Sequence, residues 1–81
     1  METERSNVEF ARFLKEYLAQ RFKMDVNDVG VMELDSPTPR PLWQIFLGLD
    51  AHVIACRPGK PETWMKSAVS ILRKIEEARE E

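Results

Sequence analysis

Arg40-Pro-Leu-Trp-Gln-Ile-Phe-Leu-Gly-Leu-Asp-Ala-His-Val-Ile-Ala-Cys-Arg-Pro-Gly-Lys60 is the stretch from which the fold can be read. Two apolar, β-prone runs flank a break at Gly48 to Ala51, and Pro58-Gly59 closes the second run, so the segment predicts a β-hairpin. Side chains alternate between the two faces of a strand. Trp43, Ile45, Leu47 and Leu49 therefore share one face, and Leu42, Gln44, Phe46 and Gly48 share the other. Both faces carry large apolar groups. A sheet covered on one side only normally shows polar residues on its open face, which leaves Leu42 and Phe46 without an internal use. The second run, His52-Val53-Ile54-Ala55-Cys56, holds no acidic residue, lysine or proline. If the strands pair in chain order it forms an unguarded sheet edge, and such an edge is a template for a further strand.

The flanks are helical in pattern. On the N-terminal side Phe10, Phe13, Leu14, Tyr17, Leu18 and Phe22 recur at three- and four-residue spacing. Ser6 and Glu9 form a capping-box pattern, which predicts a helix starting near Asn7 after a frayed Met1–Arg5. Asp25, Asn27, Asp28 and Gly30 mark a turn, and Val31–Leu34 is expected to be a first strand. Pro37, Pro39 and Pro41 then remove backbone donors, which predicts a stiff loop leading into the hairpin. Beyond the hairpin, Pro61 suits the first position of a second helix whose stripe is Trp64, Ala68, Ile71, Leu72 and Ile75. Its acidic end, Glu76, Glu77, Glu80 and Glu81, opposes the helix dipole, so the last turn is expected to fray. The element order predicts an α+β fold: an α-β-β-β-α two-layer sandwich, with two helices on one face of a three-stranded antiparallel sheet.

Bulk properties set further bounds. The chain has 81 residues, 43% hydrophobic and 32% charged, which fits one domain spanning 1–81 with an ordered core from about 7 to 77. A domain of this size is thinly stabilised, and association is a natural source of extra burial. The formal charge of −2 argues against a surface built throughout for nucleic acid, although residues 36–60 carry three Lys/Arg against one Asp/Glu. A single cysteine, the absence of a signal-like N-terminus and the lack of a membrane-length apolar run lead us to expect an intracellular, cytoplasmic protein with no membrane segment.

No catalytic or metal-binding constellation is apparent, and neither an enzyme nor a cofactor is expected. His52 and Cys56, the lone histidine and cysteine, sit four residues apart on one strand, about 13 Å, too far for proton transfer. No Cys-x-x-Cys, His pair or EF-hand spacing is present, and the three glycines form no phosphate cradle.

The element order, Leu14-Lys15-Glu16-Tyr17 in the first helix, and a proline-containing loop before the aromatic-led strand resemble the double-stranded-RNA-binding domain. That resemblance implies RNA contacts from the first helix, the loop between the first two strands, and the start of the last helix. Leu14, Glu16 and Tyr17 match the family's Leu-x-Glu-Tyr. Ser36-Pro37-Thr38-Pro39, with Trp43 as the aromatic, stands where the family shows Gly-Pro-x-His, without the histidine. Lys60-Pro61-Glu62-Thr63-Trp64 keeps one lysine of the family's Lys-Lys-x-Ala-Lys. Losing those lysines removes much of the counterion-release contribution to nucleic-acid affinity. The resemblance thus implies a degenerate member of the family that serves in protein association.

Two functions are expected from these observations. The first is a non-catalytic protein-interaction or dimerisation module, docking on a protein partner or on itself as a homodimer. Its surface would be Leu42, Phe46, His52, Ile54 and Cys56, and Ile54→Lys would dissociate a dimer without unfolding it. The alternative is weak, shape-selective binding of double-stranded RNA through Glu16, Arg40, Lys60 and Lys66.

Overall fold

The computed structural model describes residues 2–35 and 40–80, with side chains from Asn7 onward. The proline loop at 36–39, where the family resemblance locates its loop motif, lies outside the described residues. Helix α1 spans Glu2–Arg21, strands β1, β2 and β3 span Val29–Leu34, Leu42–Leu47 and Asp50–Ala55, and helix α2 spans Trp64–Glu80. Short 3₁₀ turns at Val26–Asp28 and Pro61–Thr63 lead into β1 and α2. The strands form one antiparallel sheet in the order β1-β2-β3, so the α-β-β-β-α layout expected from the sequence is present.

Several boundaries differ from expectation. Helix α1 begins before Ser6, because Glu2–Ser6 contains neither proline nor glycine to stop the helix extending toward the terminus. Pro61 opens a 3₁₀ turn instead of the α-helix itself, which starts three residues later at Trp64. At its other end α2 persists through Glu80, where Arg79 offers a cation to the negative end of the dipole. The hairpin break shrinks to Gly48-Leu49. Gly48 takes φ +64° while Leu49 stays at negative φ, the pattern of a two-residue type II′ turn. Leu49 is thereby a fully exposed turn residue and not part of the inner face.

Helix α1 ends in a Schellman motif. Met24 N–H donates to the Ala19 carbonyl and Lys23 N–H to that of Gln20, with Lys23 itself at φ 55°. The tight stop drops the chain directly onto the 3₁₀ turn, whose Asp25 carboxylate accepts the Asn27 N–H. Register then fixes the sheet. Val29 pairs with Leu47, Val31 with Ile45 and Glu33 with Trp43, while across the other side of β2 Trp43 pairs with Ile54 and Ile45 with His52.

The core lies between this face and the helices. Phe10, Leu14 and Leu18 of α1, Trp43 and Ile45 of β2, and Ala68, Ile71 and Ile75 of α2 are at most 1% exposed. Trp43 meets Phe10 edge to face at 5.3 Å between centroids, and Phe10 meets Trp64 at 5.8 Å. Such aromatic pairs add roughly 0.5–1.5 kcal/mol each beyond the area they bury.

One sequence expectation is corrected by the register. Ile54 points inward opposite Trp43 and is 8% exposed, so Ile54→Lys would bury a charge in the core. The substitution is expected to cost more than about 3 kcal/mol and unfold much of a domain this small. Its neighbour Val53 faces outward, 56% exposed, and Val53→Lys is expected to cost less than about 1 kcal/mol. Urea unfolding of the two variants side by side checks the assignment of faces.

Candidate functional site

The sheet face turned away from the helices carries three rows: Gly30, Phe46 and Ala51; Met32, Gln44 and Val53; Leu34, Leu42 and Ala55. None of the nine is charged, and Gln44 alone is polar. Met32 and Val53 are more than half exposed, while Leu42 and Phe46 are partly buried. Part of the burial of Phe46 is local: a Cβ on Gly30 would lie 3.4 Å from Phe46 Cδ2, so the ring leans across the glycine beside it. Three strands of six residues present roughly 300 Å² in outline. That is the size of an ordinary largest apolar patch, and well short of the roughly 800 Å² per partner of a standard interface.

The margin of this face is β3, which pairs only with β2. In a two-residue hairpin the closing pair, here Leu47 and Asp50, exchanges hydrogen bonds, as do alternate pairs beyond it. Ala51, Val53 and Ala55 therefore direct their backbone groups outward. The edge is not bare, however. Lys74 Nζ of α2 donates to the Ala55 carbonyl at 3.5 Å, and Arg79 Nε lies 3.9 Å from Asp50 Oδ2 at the other end. Lysine at an edge is a recognised guard against strand addition. Asp50 is the one charged residue within β3, and α2 supplies the further contacts at this edge.

The expected interface residues fall in three places. Leu42 and Phe46 lie on the open face. His52 and Ile54 lie on the inner face, with His52 Nε2 buried and without a hydrogen-bond partner among the described residues. Cys56 follows β3, and its carbonyl accepts the Trp43 indole N–H at 2.9 Å.

Cys56 also lines a cleft of about 580 Å³ between the end of β3 and α2. Arg40, Arg57, Lys66 and Lys74 surround it, and no carboxylate among the described residues does. Ser67 Oγ reaches the carbonyls of Arg57 and Pro58 at 3.4 and 3.3 Å, which holds the segment bearing Arg57 against the helix. Burial pushes the Cys56 thiol above its ordinary pKa, while a hydrogen bond with Ser67 and the charges of Lys74 and Arg40 pull it back. Two cations thus converge on one sulfur.

Of the four residues expected to contact RNA, Arg40 and Lys66 meet in this cleft. Lys60 stands outside it, and Glu16 borders a separate hollow beside Gln20 and Met24. Arg57 and Lys74 were not singled out by the sequence. Lys66, Ser70 and Lys74 recur every four residues, a polar stripe that could have shown Lys74, whereas no local pattern marks Arg57. Among the described residues no group of three or more His, Cys, Asp or Glu could hold a metal ion, and no helix is long and apolar enough to cross a membrane.

In comparisons with known proteins, no family model, curated protein or solved structure matches this chain.

Removing a nearby cation destabilises a thiolate. Lys74→Ala should therefore move the pH profile of Cys56 alkylation by a neutral reagent to higher pH. An unchanged or lower midpoint would show that the ammonium does not act on the sulfur.

Proposed function

We propose that the protein is a non-catalytic interaction module that associates with a second copy of itself through the outer face of its sheet, with β3 at the margin. The observation that carries this reading is the uncharged face of nine residues left open by helices that both pack on the other side. Two chains of net charge −2 meet there without bringing like charges into contact. A two-fold axis through the face pairs it with itself, so each copy offers the other the same apolar rows. The modest area supports a dimer that is concentration-dependent and not obligate, with a dissociation constant weaker than about 10 µM. A half-buried free thiol suits a reducing, cytoplasmic setting for such a module.

Sedimentation across a concentration series should show a monomer passing to a dimer. Val53→Glu should leave a monomer at every concentration while its circular dichroism stays unchanged. A wild-type chain that remains monomeric at about 1 mM would overturn the reading.

A second reading, weak binding of double-stranded RNA, is favoured by one observation, that Arg40 and Lys66 share a cleft. Titration with an RNA duplex at low salt should then show weak binding, diminished by Lys66→Glu and abolished as salt rises. No binding at low salt, or binding indifferent to Lys66→Glu, would remove this reading.

A further inference from the structure

The cleft between β3 and α2 lies apart from the open sheet face except at Ala55, so it can be tested independently of the dimer. Acidic residues outnumber basic ones in the chain, 14 to 12, yet four cations and no described carboxylate ring this one hollow. Like charges facing one another across a partly desolvated space repel, and a multivalent anion between them relieves that repulsion. Arg40 and Arg57 also have interactions within the protein, so the two lysines are the principal ligand groups. Lys66 and Lys74 are exposed, and their long side chains can close on a ligand. Lys74 spends one hydrogen bond on the Ala55 carbonyl and keeps further protons to donate.

Volume and charge together narrow the ligand. About 580 Å³ exceeds what a single phosphate fills. The exposed ammonium groups of Lys66 and Lys74, with two guanidinium groups beside them, favour an anion that carries several charges within one compact group. A nucleic-acid backbone spreads its charges along a strand, and a protein that tracks a duplex needs cations along a line. Here Lys60 and Glu16 lie off the cleft.

We infer that the cleft bounded by Arg40, Arg57, Lys66 and Lys74 binds a compact polyphosphate, such as the triphosphate group of a small molecule.

Inorganic tripolyphosphate is the probe, added to the ¹⁵N-labelled full chain at low salt and followed by amide chemical shifts. Saturable shifts confined to Ala55, Cys56, Arg57, Lys66, Ser67 and Ser70 are expected. Lys66→Glu and Lys74→Glu should each weaken binding at least tenfold, while Arg12→Glu, on an exposed position of α1, leaves it unchanged. Lys66 makes no bond to β3 among those described, so its variant stays informative if Lys74→Glu disturbs the strand. Failure to saturate, shifts scattered over α1, or equal losses in all three variants would overturn the inference. An RNA duplex that binds the cleft more tightly per phosphate than tripolyphosphate would also overturn it and favour the RNA reading. Failure of the dimer in sedimentation would leave this result untouched, because the open face and the cleft share only Ala55.

Discussion

The indole of Trp43 is the constraint on which the rest of the structure depends. It is 1% exposed at the centre of the middle strand, it meets Phe10 of α1 edge to face, and its N–H is satisfied by the carbonyl of Cys56 beyond β3. A buried tryptophan must find an acceptor for that N–H, or lose on the order of 1–3 kcal/mol. The requirement fixes where the chain goes after β3. The Cys56 N–H also donates to the Pro41 carbonyl, and Ser67 holds the following segment, with Arg57, against α2 beside the cleft.

With Trp43, Ile45 and Leu47 committed inward, both helices have only one face on which to bury their stripes. Phe10, Leu14 and Leu18 from α1 and Ala68, Ile71 and Ile75 from α2 pack there, all of them fully buried. Nothing remains in the described chain to cover the outer rows. Their apolar character is thus a surplus relative to what the two-layer fold requires, and that surplus supports an interaction reading more strongly than the edge of β3 does. The edge is braced by Lys74 and Arg79, whereas the face has no guard but Gln44.

The α+β layout was legible because each element has a clean pattern: helical spacing in Phe10, Leu14 and Leu18, and alternation in Trp43, Ile45 and Leu47. The facing of β3 was harder, since Val53 and Ile54 are equally apolar and alternation says nothing there. It was nevertheless derivable. A loop of two or four residues both pair odd-numbered residues of β2 with even-numbered residues of β3, which sends His52 and Ile54 inward in either case. The cleft was legible only in part. Its cations come from the end of the proline loop, the end of β3 and one stripe of α2, and no local pattern links positions 40, 57, 66 and 74. Edge guards supplied by another element are invisible for the same reason.

Arg79 ties three ends together, lying beside Asp50 at the start of β3 and 5.0 Å over the ring of Phe22 at the end of α1. It belongs to the last turn of α2, where Glu76, Glu77 and Glu80 carry charge that opposes the helix dipole. Opening of that turn would release both Arg79 contacts at once, a local event that needs far less free energy than global unfolding. One side chain in the closing turn of α2 thus joins the end of α1 to the start of β3, so the three ends would loosen together.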